Sequence, residues 1–226
     1  MRVAAPTAGR IHMTQRRDRS LEITRRVLLF APALGVCAAL LAACGKSQKE
    51  PAADVWGSLP RLAFSMTRAS DGREASAADY LGAIVILYFG YTYCPDTCPA
   101  TLLNIATVLK GLGKRADRVR VLFVTVDPKR DTLDVLRRYT SSFAPQIEGL
   151  RGTDDQIARL ARRYRVFYCG PTSSDQPDQS IAHGAGVYVF DAEGEARFLF
   201  PGLSSPKADL NALSNALLAL VNEASS

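Results

Sequence analysis

The chain has 226 residues, 47% hydrophobic and 22% charged, an ordinary globular composition that excludes disordered, collagenous and polytopic membrane classes. The formal net charge of +6 is concentrated at one end: residues 1–43 carry seven Arg against Asp18 and Glu22, while from Cys44 onward 21 Lys and Arg meet 20 Asp and Glu. Most of the chain therefore has no field to draw it to polyanions, and no nucleic-acid partner is expected.

Arg16, Arg17, Arg19, Arg25 and Arg26 precede an apolar, small-residue run of 17 residues from Val27 to Ala43, the basic and apolar regions of an export signal. The run ends in Leu41-Ala42-Ala43-Cys44-Gly45. Small residues just before a Cys resemble a bacterial lipobox, in which residues 1–43 are removed and Cys44 receives a thioether lipid. The alternative is an uncleaved membrane helix, for which this run lies at the short end of the spanning range. Thr24-Arg25-Arg26-Val27-Leu28-Leu29 is also similar to a twin-arginine signal, and Met13 is a second candidate start. On the lipoprotein reading the chain is exported and held by lipid to the outer, periplasmic face of the cytoplasmic membrane. That compartment is oxidising. The thiols left are Cys94, Cys98 and Cys169, and the one histidine left is His183. Three is an odd number and the chain is large enough to bury a core, so a disulfide scaffold is not expected.

Residues 44–59, rich in Lys, Ser, Gln, Ala and Pro, read as a flexible tether, with the folded domain spanning 60–226. Leu62, Phe64 and Met66 alternate with polar or small neighbours ahead of the turn pair Asp71-Gly72, predicting a short N-terminal hairpin. The continuous apolar run Ile84 to Phe89 predicts a strand buried on both faces, ended by Gly90. Thr101 to Leu112 has helical spacing and Gly113 stops it. Val119 to Val126 predicts a second buried strand ending in Asp127-Pro128. Asp131 or Thr132 then caps a helix through Leu133, Leu136 and Tyr139, and Thr153 or Asp154 caps another through Ile157, Leu160 and Tyr164. A Pro/Ser/Asp/Gln-rich loop, 170–180, delivers His183. Val187–Phe190 and Arg197–Phe200, joined by Asp191-Ala192-Glu193-Gly194, read as a hairpin, and Pro206 to Val221 as a closing helix. This order is what an α/β, thioredoxin-like fold requires: a central mixed sheet flanked by helices, with a hairpin before it.

The chemistry gathers at Gly90-Tyr91-Thr92-Tyr93-Cys94-Pro95-Asp96-Thr97-Cys98-Pro99, where a buried strand gives way to a helix. Cys94 and Cys98 are four apart, a spacing that aims both sulfurs the same way at a helix start. A helix N-terminus favours negative charge and hence thiolate, which is both a nucleophile and a soft metal ligand. The plain alternative is a pair of inert thiols or a static disulfide. A lone His in a polar loop is by itself most often a solvated surface residue; beside two thiolates it is a candidate third ligand.

Tyr88-Phe89-Gly90-Tyr91-Thr92-Tyr93-Cys94-Pro95-Asp96-Thr97-Cys98-Pro99 resembles the signature of the SCO/SenC family, membrane-anchored copper-binding proteins of cytochrome c oxidase assembly. The resemblance continues through Val126 to Thr132, Leu150 to Thr153, Tyr164-Arg165-Val166 and His183 to Gly194. It implies a thioredoxin-like fold and a copper site made by Cys94, Cys98 and His183. It also implies delivery of copper to the dinuclear copper centre of the oxidase, or redox preparation of the acceptor thiols there. The partners implied are the copper-centre subunit of the oxidase, with other periplasmic copper chaperones or thiol reductants beside it. Two thiolates and one imidazole suit Cu(I), with Cu(II) as the second state; structural zinc asks for a fourth ligand that the sequence does not offer, and catalytic zinc stays open on ligand count. Two positions depart from the family pattern: Ala182 stands where an Asp is usual and Gly184 where Ser or Thr is usual. Asp127 and Arg130 read as a turn and ion-pair couple, and Cys169, outside the motif, reads as a buried thiol, with an extra redox or metal-linked group as the alternative.

Two functions compete on these residues. A metallochaperone binds one copper ion and passes it on by ligand exchange, with no bond-making turnover. A thiol-disulfide oxidoreductase uses Cys94 to attack a partner disulfide and Cys98 to resolve it, leaving His183 dispensable. Thioredoxin-like oxidoreductases usually carry a Pro before the strand facing the site, where this chain has Ala182-His183-Gly184-Ala185-Gly186-Val187, which favours metal binding.

Overall fold

The computed structural model describes residues 52–169 and 181–225; the expected export signal and lipobox, with Cys44, and the loop 170–180 lie outside the described residues. In chain order the elements are β1 (Ala53–Asp54), β2 (Ser65–Arg68), β3 (Glu74–Ser76), β4 (Ile84–Gly90), α1 (Thr97–Leu112), β5 (Val119–Thr125), α2 (Leu133–Ser141), β6 (Ile147–Arg151), α3 (Asp154–Arg163), β7 (Tyr168–Cys169), β8 (Ala182–His183), β9 (Val187–Phe190), β10 (Ala196–Phe200) and α4 (Leu210–Glu223).

Eight strands form one mixed sheet in the order β1-β10-β9-β4-β5-β6-β2-β3, and β7 pairs with β8 in a separate ladder. β4, β5 and β6 run parallel at its centre. All seven residues of β4 are buried, as its unbroken apolar run demands. Successive side chains alternate between faces, so Ile84, Ile86, Tyr88 and Gly90 point one way and Val85, Leu87 and Phe89 the other. Cross-strand partners share a face: Tyr88 lies opposite Phe123, Leu87 opposite Tyr188, and Val85 opposite Phe190. Two right-handed crossovers stepping in the same direction put α1 and α2 on the Tyr88 face, where Tyr139 of α2 packs on Phe123 with ring centroids 5.6 Å apart. On the opposite face Tyr164, at the end of α3, packs on Tyr188 and Phe190 at 5.7 and 5.4 Å. α4 lies against α1. A mixed sheet flanked by helices in this way is the expected thioredoxin-like architecture.

The structure differs from the sequence reading in several places. β6 was not expected, because Ile147-Glu148-Gly149-Leu150-Arg151 mixes two charges and a glycine; it becomes a strand by pairing with β5 and β2. Gly149 belongs there for close packing, since a Cβ at that position would lie 3.0 Å from the Leu136 Cβ. α1 starts at Thr97, four residues ahead of the expected Thr101, with Pro99 in its first turn, where a missing N–H costs nothing. Of the segment 44–59 expected to be a tether, residues 52–59 belong to the folded unit: Ala53 and Asp54 pair with Leu199 and Phe198 of β10, Val55 donates to the Arg197 carbonyl at 3.0 Å, and Arg197 lies over the Trp56 ring at 4.6 Å. Residues ahead of Pro60 thus already pair with β10. β2 and β3 pair antiparallel around Asp71-Gly72, where Gly72 takes φ 71°. Among the described residues no helix is long and apolar enough to cross a membrane.

Candidate metal centre

The last residue of β4, Gly90, leads through Tyr91–Asp96 into α1. Asp96 occupies the N-cap position without accepting a side-chain hydrogen bond there. The N–H of Cys98, second residue of the helix, instead donates to Cys94 Sγ at 3.4 Å, so a sulfur stands where a capping oxygen ordinarily would. Cys94 is half-buried and Cys98 buried, and both are thiols rather than halves of a disulfide. The β7–β8 ladder brings in the third group, placing His183 Nε2 3.2 Å from Cys98 Sγ. One donor atom from each of Cys94, Cys98 and His183 falls within 4.8 Å of the others, and no other group of three or more such ligands occurs among the described residues.

The proton inventory follows from the backbone. His183 Nδ1 lies 3.2 Å from the Gly184 carbonyl, which can only accept. Nδ1 therefore carries the ring hydrogen and Nε2 presents its lone pair to Cys98, whose thiol donates to it. Burial pushes the Cys98 thiol up to about 12, with the Tyr91 backbone opposing only in part. Burial also holds His183 below its ordinary value, so the ring is neutral near pH 7. The helix N-terminus was expected to favour thiolate; at Cys98 desolvation outweighs it. The carboxylate missing at Ala182 has a substitute, because the Gly184 carbonyl performs the orienting task usual for a group behind a ligating imidazole. In the β7–β8 register Tyr168 faces His183 and Cys169 faces Ala182. Cys169 thus lies on the other side of the ladder from the imidazole, exposed rather than buried as expected.

The surrounding groups lock these positions. Tyr91 packs edge-on against the His183 ring at 5.8 Å, and its hydroxyl accepts from Ile181 N at 3.0 Å, joining the cysteine loop to the histidine strand. Asp131, fully buried, accepts from Thr92 N at 3.1 Å, Thr92 Oγ1 at 2.5 Å and Thr125 Oγ1 at 2.6 Å. Arg151 of β6 holds the same loop by donating to the carbonyls of Pro128 and Asp131. Arg130 pairs with Asp127 and lies over the rings of Tyr91 and Tyr93 at 5.8 and 5.2 Å. Of the two cap candidates, Asp131 and Thr132, it is Thr132 that caps α2, accepting from Val135 N. Nothing short of the fold reveals that Asp131 turns inward. Replacing it with Ala strands one buried and two half-buried donors, and the expected result in urea unfolding is a loss of about 3 kcal/mol, against a far smaller loss for Asp134→Ala on the exposed face of α2.

Bonds of about 2.3 Å to sulfur and 2.0 Å to imidazole nitrogen at 120° would set sulfur and nitrogen about 3.7 Å apart and two sulfurs about 4.0 Å apart. Donor atoms within 4.8 Å of one another, with one sulfur–nitrogen contact of 3.2 Å, need adjustments of at most about 1.1 Å to meet that pattern. The donor set fits a soft, low-coordinate ion.

A model of the SCO1/SenC family matches residues 61–218. The chain is 41% identical over 126 residues to the mitochondrial SCO2 homolog of Bos taurus, covering 54% of this chain and 47% of that protein. It is 36% identical over 150 residues to the mitochondrial SCO1 homolog of Mus musculus, covering 65% and 52%. It thus spans about half the length of the curated relatives it matches. Among solved structures it is similar to Bradyrhizobium japonicum ScoI with copper bound, at 34% identity and TM-score 0.62 over 71% of this chain and 98% of that one. Yeast Sco1 with copper bound is similar at 30% identity and TM-score 0.63, over 72% and 90%. A family match running from before β2 into α4, and enclosing all three donor residues, leaves one conclusion: the chain belongs to the SCO1/SenC family.

Proposed function

We propose that this protein is a copper chaperone that holds one copper ion between Cys94, Cys98 and His183 and passes it to the thiols of the copper-centre subunit of cytochrome c oxidase. The observation that carries the reading is the convergence of two thiols and a neutral imidazole, its lone pair turned toward the Cys98 sulfur. Copper is cargo here. Loading replaces the Cys98 S–H proton, now shared with Nε2, by the metal. Unloading is ligand exchange, in which each incoming partner thiolate displaces one of the three donors, so copper is never released as a free ion. Cu(I) is the state the donor set favours, and an EPR-silent loaded protein separates it from Cu(II). The structures with copper bound support the cargo. The oxidase partner rests on the family resemblance, and the removal of residues 1–43 and a lipid on Cys44, which would hold the domain beside a membrane-embedded acceptor, rest on the lipobox-like run ending at Cys44.

The test is anaerobic titration of the reduced protein with Cu(I) against a competing chelator, for wild type and His183→Ala in parallel. One copper per chain is expected. The histidine variant should bind more weakly by more than the roughly 10–100-fold that loss of a group behind a ligand causes. Because the metal must displace the Cys98 proton, that thiol alone should raise the apparent affinity by about tenfold per pH unit below its pKa of about 12. Equal binding by both proteins, independent of pH, would leave Cys94 and Cys98 as a redox pair and restore the oxidoreductase reading.

A further inference from the structure

Among the described residues two buried side-chain oxygens have no hydrogen-bond partner, the hydroxyls of Tyr88 and Tyr139. Proteins seldom leave such groups orphaned, and each one left so is destabilising. Tyr88 lies on the face of β4 that carries Gly90, where a Cβ would come within 2.8 Å of Cys98 Sγ, and its ring is 6.2 Å from that of His183. A phenol is a neutral O–H donor near pH 7. The neighbouring Thr101 gives its own hydrogen to the Thr97 carbonyl at 2.8 Å. A thiol sulfur is only a weak acceptor. Bound to a metal it is a thiolate, to which hydrogen bonds are about twice as strong.

We propose that Tyr88 is a positioning residue for the copper cargo: its hydroxyl donates to Cys98 Sγ once that sulfur ligates metal, so that an orphaned donor in the metal-free protein becomes a satisfied one in the loaded protein. This rests on the copper reading above. The same hydroxyl thus works against the metal-free state and for the loaded one, which widens the difference between them beyond what three ligands alone supply. Tyr139 provides the comparison. Its hydroxyl is equally orphaned, but its ring neighbours are Phe123 and Phe143 rather than His183.

The experiment compares wild type, Tyr88→Phe and Tyr139→Phe by thermal unfolding, metal-free and Cu(I)-loaded, and by chelator competition. Both variants should raise the metal-free Tm by about 3 °C or more, through removal of an unsatisfied buried hydroxyl. Only Tyr88→Phe should weaken Cu(I) binding, by roughly 10–100-fold. Unchanged affinity in Tyr88→Phe, or the same loss in both variants, overturns the assignment. A wild type that takes up no Cu(I) overturns the copper reading and this inference with it, whereas a loading wild type with an indifferent Tyr88→Phe overturns this inference alone. Should Tyr88→Phe fail to fold, proton NMR of the wild type decides. Cu(I) is diamagnetic, and loading should shift the Tyr88 hydroxyl resonance downfield and slow its exchange; a resonance that does not move sinks the proposal.

Discussion

Cys94→Ser and Cys98→Ser are each expected to lose copper altogether on purification, while Cys169→Ser keeps a full complement. A hydroxyl is a hard, protonated donor, and replacing one of two thiolates removes an interaction worth on the order of 3 kcal/mol, a more than hundredfold loss of affinity before any rearrangement. The two variants should differ in the folded scaffold. Cys98 is fully buried, so a serine there puts a strongly hydrogen-bonding group among apolar neighbours and lowers stability, though it retains a donor for His183 Nε2. At Cys94 the serine oxygen can take over acceptance from Cys98 N, which sulfur does at 3.4 Å, and serine is among the preferred N-terminal capping residues. Elemental analysis after gel filtration, with circular dichroism to verify folding, checks both halves. Copper retained by either variant would remove that residue from the site.

Gly90→Ala should be the most damaging single-methyl change near the centre. A Cβ there would meet Phe123 Cε2 at 2.6 Å, Cys98 Sγ at 2.8 Å and Phe123 Cζ at 3.0 Å. Phe123 cannot retreat: it is fully buried, with Tyr88 and Tyr139 packed on it at 5.9 and 5.6 Å. The sulfur has to move instead, away from the position in which it faces His183. The expected cost is about 2–3 kcal/mol of stability from overpacking, together with a copper affinity lowered at least tenfold. Gly111→Ala is the control, since nothing lies within 4 Å of a Cβ at that position and alanine is the better helix former by about 1 kcal/mol. Urea unfolding and Cu(I) competition on the two variants separate a crowding effect at Gly90 from a general intolerance of substitution.

The centre of the sheet was legible in the sequence because it is apolar without interruption: Ile84 to Phe89 and Val119 to Val126 can only be strands buried on both sides. The three donor residues were legible because of where they sit, two cysteines at a strand-to-helix junction and the one histidine left beyond the signal. What the sequence concealed depends on tertiary partners. Ile147–Arg151 has no period of its own and is a strand only because β5 and β2 lie on either side. The helix start predicts thiolate at Cys98, but its full burial within the fold, which outweighs the helix, is invisible in the sequence. Asp131 reads like any polar residue before a helix. Its inward turn is decided by Thr92 and Thr125, which are 39 and 6 residues away in the chain.

The two margins of the main sheet have a bearing on solubility. Strands with unpaired rims invite pairing with other molecules, and short edge strands are one defence. β1 is two residues long and β3 is three. β1 covers Phe198 and Leu199, the middle of the five-residue strand Ala-Arg-Phe-Leu-Phe. A chain shortened to Pro60 would uncover that strand as a flat, aromatic edge and invite sheet-to-sheet aggregation. The few residues ahead of Pro60 thus serve as a selvedge that keeps one copy of the domain from knitting itself to the next.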